Sequence, residues 1–159
     1  MATIKKKFIG DKQFGGFTPY GNVTTIRATL QTNATGAAIH SDSAAAIGVA
    51  DVVVLEKLPE GFLLEDAQVI VSTPMTASAT GSLGFIYADG VDSTDVPQDA
   101  AYFGAGLNAA TAGRIRTAGT KAPVRLAKEA YLVWTQAGAA NAKASSLDVI
   151  VHGERMGPN

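Results

Sequence analysis

The stretch Leu147-Asp-Val-Ile-Val-His152 decides the fold class of this sequence. Its alternation puts Leu147, Val149 and Val151 on one face of an extended chain, while Asp148 and His152 point the other way. A period of two is typical of a strand with one face in a hydrophobic core and the other in water. The stretch therefore predicts a half-buried strand near the end of the chain.

Similar short strands recur upstream, separated by segments rich in Gly, Ala, Ser, Asp and Pro, which supply turn conformations. The predicted strands cover residues 23–30, 47–55, 67–73, 82–88, 114–118, 124–126, 131–136 and 147–153. Only residues 97–103 and 41–46 suggest a turn or two of helix, and residues 105–113 and 137–146 are predicted to be loops. This pattern predicts an all-β fold, an antiparallel β-sandwich or barrel.

The first 22 residues differ from the rest, since they are basic, carry glycines and aromatic residues, and show no helical or strand period. We predict an extended N-terminal arm over residues 1–22 and a single β-sandwich domain over residues 23–159. Aromatic side chains act as anchors in partner pockets, so the arm is a candidate assembly interface, with packing on its own domain or nucleic-acid binding as alternatives. Its candidate interface residues are Lys5, Lys6, Lys7, Phe8, Phe14, Phe17 and Tyr20.

Composition excludes several classes of protein. The 159 residues include no cysteine, which excludes a disulfide framework, a thiolate metal site and a cysteine nucleophile. The formal net charge of −1 argues against a dedicated nucleic-acid binder. No apolar run resembles a signal sequence or a membrane span, so no membrane partner is expected.

Charge is strongly segregated along the chain. Residues 28–99 hold ten acidic side chains and a single base, Lys57, whereas residues 100–159 hold seven bases and three acids. The blocks can neutralise one another within the fold, or they can form complementary surfaces that meet in an assembly. The sequence leaves both readings open.

No motif predicts catalysis, a cofactor or a metal site. His40 and His152 are isolated, and Gly104-Ala-Gly106-Leu-Asn-Ala109 lacks the preceding strand and following helix of a dinucleotide site. The acidic segment between Asp89 and Asp99 does not follow the spacing of an EF-hand, and whether it holds a cation is left open. The protein is therefore predicted not to be an enzyme.

One pattern resembles a known family. A strand runs through Val52-Val-Val-Leu55 into the turn Leu58-Pro-Glu-Gly61, and a second strand follows through Val69-Ile-Val71. The order continues with Ser82-Leu-Gly-Phe-Ile-Tyr87 and Tyr131-Leu-Val-Trp134. Over roughly residues 47–152 it resembles the jelly-roll decoration (cement) proteins of tailed bacteriophages.

The resemblance implies a jelly roll and a non-enzymatic virion protein that binds the outer capsid surface and bridges neighbouring capsomers. It implies two partners, the major capsid protein and further copies of the chain as a dimer or trimer, and no direct contact with nucleic acid. The protein would be made in the host cytoplasm and reside on the capsid exterior. The alternatives are another phage structural β-protein (head-fibre, collar or tail component) or a ligand- or carbohydrate-binding jelly-roll module.

Overall fold

The computed structural model describes residues 1–6, 22–117 and 119–157, and within them it has ten β-strands and no helix. None of these residues forms a helix able to cross a membrane. The strands are β1 (Thr3–Lys5), β2 (Val23–Thr32), β3 (Val52–Leu58), β4 (Phe62–Thr73), β5 (Thr80–Tyr87), β6 (Asp99–Asn108), β7 (Gly113–Arg116), β8 (Val124–Arg125), β9 (Ala130–Ala137) and β10 (Ser145–Arg155).

The strands form two sheets that pack face to face. One has the order β1-β3-β9-β5-β6, and the other has the order β2-β10-β4-β7, with β8 also paired to β4. All the pairings are antiparallel except that of β1 with β3. Without β1 and β8, the orders β2-β10-β4-β7 and β3-β9-β5-β6 are those of two Greek keys wound into a jelly roll. The predicted fold class is confirmed.

Alternation along the strands builds the core, as the stretch in β10 predicts. Leu147, Val149 and Val151 are buried, and the residues between them are only half-buried. The inner faces of both sheets form one hydrophobic cluster that includes Phe62, Phe85 and Trp134. Burial of apolar surface is the main force that holds the two sheets together.

The predicted turn between Leu58 and Phe62 forms as a tight connection between β3 and β4. Gly61 has a φ of 71°, which favours glycine because it has no Cβ. The Phe62 amide donates to the Pro59 carbonyl at 3.3 Å, and the Gly61 amide donates to the Leu126 carbonyl at 2.9 Å. The turn thus joins the two sheets at one end of the sandwich.

All eight predicted strands are present, with shifted ends, but both helix predictions are wrong. Residues 41–46 form bends and isolated bridges. Residues 99–103 of the segment predicted as helix over 97–103, and residues 105–108 of the loop predicted over 105–113, belong to β6. Tyr102 and Phe103 explain the error, because their rings pack edge-on with each other and Tyr102 packs against Phe85, which holds this segment beside β5.

Strand β1 is not predicted from the sequence, because three residues are too few to show the alternation of a strand. Thr3, Ile4 and Lys5 pair in parallel register with Val52, Val53 and Val54. Ile4 belongs to the main core, with 1% of its surface exposed. The start of the chain is therefore part of the sandwich, while the division of the chain at residue 22 stays a prediction.

Candidate assembly surfaces

The first six residues are fastened to the domain by two aspartates. Asp51 Oδ1 accepts a hydrogen bond from the Ala2 amide at 2.7 Å, and Asp42 Oδ1 accepts one from the Lys5 amide at 2.9 Å. The Asp42 amide in turn donates to the Lys5 carbonyl at 2.9 Å. These bonds, together with β1, fix where the predicted arm leaves the sandwich.

Two of the seven candidate interface residues lie in this described segment. The Lys6 ammonium donates to the Thr29 carbonyl at 2.7 Å, and the Lys5 ammonium lies 5.8 Å from the centre of the Tyr131 ring. Both lysines thus contact their own domain. The other five, Lys7, Phe8, Phe14, Phe17 and Tyr20, lie outside the described residues, so their interface role stays a prediction.

A second apolar cluster lies on the outer face of the β1-β3-β9-β5-β6 sheet. Val53 and Leu55 point into the main core, so the alternate residues Val52 and Val54 face outward, where they pack with Val133. Ile86, Ala100 and Tyr131 flank this cluster. The Lys5 ammonium lies near its margin, over Tyr131, next to the start of the predicted arm.

Three carboxylates of the acidic segment 89–99, those of Asp89, Asp92 and Asp99, are engaged within the protein. Asp89 forms an ion pair with Lys128 at 2.7 Å, and Asp99 forms one with Lys121. The hydrogen bond from Lys128 lowers the pKa of Asp89 below its ordinary value. Asp92 Oδ1 accepts hydrogen bonds from the amides of Ser93 and Gln98. No group of three or more potential metal-ligating side chains occurs in the described part of the chain.

An open cleft of about 540 Å³ is lined by residues 95–99 of this acidic segment and by Lys121, Ala122 and Val124. Tyr102 lines it, and its hydroxyl donates to the Ala122 carbonyl at 2.8 Å. Burial raises the pKa of the Tyr102 hydroxyl. This hydroxyl therefore serves as a neutral donor that ties β6 to the residues before β8.

The outer face of the β2-β10-β4-β7 sheet is polar. A cleft of about 260 Å³ on it is lined by Asp66, Gln68, Arg116 and His152. Arg116 forms an ion pair with Asp66 at 2.7 Å, and His152 Nδ1 lies 3.2 Å from the Thr25 hydroxyl. Arg116 of the basic block thus pairs with Asp66 of the acidic block, as Lys121 and Lys128 pair with Asp99 and Asp89, so neutralisation within the fold accounts for part of the charge segregation.

A buried polar network, which the sequence does not predict, lies at one end of the sandwich. Asn141, in a segment predicted only as a loop, accepts from the Thr76 amide at 3.1 Å and donates to the Thr32 hydroxyl and the Lys143 carbonyl, both at 2.9 Å. Thr32 also shares a hydrogen bond with Ser145 at 2.7 Å. No sequence signal separates this asparagine from the others, because two of its partners, Thr32 and Thr76, come from distant segments of the chain.

The two histidines are not brought together. His40 lies in an exposed turn with a φ of 59°, after Ile39, whose amide donates to the Gln31 carbonyl near the end of β2. His152 on β10 lies opposite Thr25, near the start of β2. Gly104 and Gly106 lie within β6, so they do not form a loop before a helix. Trp134 is buried and donates to Gln136 Oε1 at 2.9 Å, which makes it a core residue and not a platform for a sugar.

Comparison with known proteins agrees with the fold. A chain in the capsid of Ralstonia phage GP4 superposes with a TM-score of 0.65 and 14% identity, covering 98% of this chain and 99% of that one. A chain in the capsid asymmetric unit of cyanophage Pam1 gives a TM-score of 0.56 and 14% identity, covering 90% and 92%. No protein-family model and no curated protein sequence matches the chain. At such low identity the likeness is one of fold, and the class it defines is the jelly roll.

Proposed function

We propose that this chain is a non-enzymatic structural protein of a bacteriophage virion. The observation that carries the proposal is the structural likeness to two chains found in phage capsids. In each comparison the likeness covers at least nine-tenths of both chains. A match of that extent involves the complete double Greek key and not a shared hairpin.

Within that class, we propose the role of a decoration protein. The chain would bind the major capsid protein on the outer surface of the shell, after synthesis in the host cytoplasm, and bridge neighbouring capsomers. Each contact would be modest, but it repeats many times over a shell, and multivalency turns weak contacts into a large gain in stability. Further copies of the chain would be its second partner.

The predicted arm is the proposed point of attachment. Lys7, Phe8, Phe14, Phe17 and Tyr20 lie in the stretch between Lys6, where β1 has just ended, and Asn22, where β2 is about to begin. Both ends of that stretch are held by the sandwich, through Lys6 on Thr29 and through the Asn22 carbonyl, which accepts from the Arg155 amide at 2.9 Å. A tethered basic and aromatic segment can reach a neighbour while the fold stays intact.

Co-sedimentation with undecorated phage shells tests this proposal. The wild-type chain should sediment with the shells, and a variant in which Phe8, Phe14, Phe17 and Tyr20 are all replaced by serine should stay in the supernatant. Deletion of the first 20 residues is a poorer test, since it would also remove β1 and the core residue Ile4. The control variant, V91S/M156S, removes two exposed apolar side chains elsewhere and should sediment like wild type.

The result separates the candidate functions. If the wild-type chain does not sediment with shells but binds purified tails or collars, the role as another phage structural β-protein replaces decoration. Failure to bind any virion part, together with binding on a glycan array, would support the ligand-binding module. Equal sedimentation of the serine variant and the wild type would contradict the arm as the attachment point.

A further inference from the structure

Strand β2 forms one edge of the β2-β10-β4-β7 sheet. Its inner side pairs with β10 in unbroken antiparallel register, from Thr32 opposite Ser145 to Val23 opposite Glu154. With 10 residues, β2 is among the longer strands of the fold. A long edge strand presents a row of backbone donors and acceptors that can pair with another chain.

The backbone groups of the odd-numbered residues of β2 point away from β10. The Gln31 carbonyl accepts from the Ile39 amide at 2.8 Å, and the Thr29 carbonyl accepts from the Lys6 ammonium at 2.7 Å. The even-numbered Asn22, just before β2, points the other way, since its carbonyl accepts from the Arg155 amide of β10. Because bonding direction alternates along a strand, the amides and carbonyls of Val23, Thr25 and Arg27 also point outward.

The free edge is therefore half capped and half open. The carbonyls of Thr29 and Gln31 have partners, whereas no residue within 1–6, 22–117 or 119–157 pairs with the outward backbone groups of Val23, Thr25 or Arg27. The side chains of these three residues are exposed, and Val23 has 74% of its surface in water. We call the segment Val23–Arg27 the open edge.

We propose that the open edge pairs with the same segment of a second copy of this chain, in antiparallel register about a twofold axis at Thr25. Thr25 then faces Thr25 of the second copy, and Val23 faces Arg27. Each facing pair exchanges two backbone hydrogen bonds, which gives about six across the junction. The proposal concerns the contact of the chain with itself and does not depend on binding to a shell.

The chemistry of the open edge selects both this occupant and this register. The aliphatic part of Arg27 covers the exposed Val23 of the other copy, and a Thr–Thr cross-strand pair is favourable. The two Arg27 residues lie about four residues apart along the strands, roughly 14 Å, so their charges are well screened. An axis at Arg27 would instead place the two guanidinium groups opposite each other.

Neighbouring registers use the edge less well. An axis at Ile26 would place Val23 opposite Thr29, whose carbonyl is already bound by Lys6. An axis at Thr24 would pair Val23 only with Thr25 and would leave Arg27 beyond the open edge. Only an axis at Thr25 pairs all three open residues and none of the capped ones.

A junction of five residues is small by the standard of stable dimers, so the experiment traps it covalently. The chain has no cysteine, so a single introduced thiol reports one position. T25C places the two thiol-bearing residues about 5.5 Å apart between Cα atoms, within the range that a disulfide spans. R27C separates them by roughly 14 Å and serves as the matched control.

Under mild oxidation, T25C should form a disulfide dimer at least tenfold faster than R27C or V23C alone. A mixture of V23C and R27C should form the mixed dimer at a rate close to that of T25C. Introducing T25P into both members of that mixture should abolish cross-linking, because proline removes the outward amide of residue 25 and leaves the pairing with β10 intact. Introducing T25V into both members should preserve the cross-linking. Circular dichroism checks that each variant is folded.

Failure of T25C to cross-link faster than R27C would overturn the proposal. So would cross-linking of the V23C and R27C mixture that T25P does not reduce, because such cross-links would come from random collision.

Discussion

The side-chain amide of Asn141 donates to the hydroxyl of Thr32 across 2.9 Å, and both side chains are buried. The two residues lie in different segments, the loop before β10 and the last residue of β2, and Thr76 joins them from the loop before β5. This buried polar network thus closes one end of the hydrophobic sandwich. Its members satisfy each other, which is the condition under which buried polar groups stabilise a fold.

Replacing Asn141 with alanine should lower the free energy of unfolding by about 2–4 kcal/mol, because it leaves buried partners such as the Thr76 amide without a hydrogen bond. Urea denaturation measures the loss. The matched control is Asn33→Ala, since Asn33 is exposed and bonds only within its own turn. A loss in Asn141→Ala that is no larger than the loss in Asn33→Ala would contradict the stabilising role of the network.

Gly81 lies directly against the indole of Trp134. A Cβ at position 81 would stand 2.1 Å from Cζ2 of that ring, so Gly81→Ala should destabilise the protein by about 1–3 kcal/mol through overpacking. The same change in a Trp134→Phe background should cost less, because the smaller ring leaves room for the methyl group. Thermal unfolding of the four proteins gives the coupling, and a coupling of zero would contradict the contact.

Ile4 anchors the start of the chain in the core. Ile4→Ala should lower the free energy of unfolding by about 2–4 kcal/mol through the loss of buried apolar volume. Thr3→Ala, on the exposed side of the same strand, is the control and should change it little. If Ile4→Ala is as stable as wild type by denaturant unfolding, β1 is not part of the cooperative fold.

The sequence predicted the strands whose own alternation marks them, such as β10, where three apolar residues share a face. It missed β1 and β6, because their conformation depends on partners far along the chain: Val53 for Ile4, and Phe85 for Tyr102. The Asn141 network was hidden for the same reason. Of the predicted interface, Lys5 and Lys6 contact their own domain, which a charge pattern alone cannot show.

The ion pair between Asp89 and Lys128 should be visible in an acid titration. Lys128 lowers the pKa of Asp89 below the ordinary value of 3.8, so the folded state holds this proton less tightly than the unfolded chain does. The contribution of the pair to stability is therefore present above that ordinary pKa and is lost as the pH falls through the lowered one.

Carboxyl NMR should show the pKa of Asp89 rising toward 3.8 in Lys128→Met. Lys121→Met removes the partner of Asp99 and should leave the pKa of Asp89 unchanged. A rise of similar size in both variants would mean that general charge, and not this contact, lowers the pKa of Asp89.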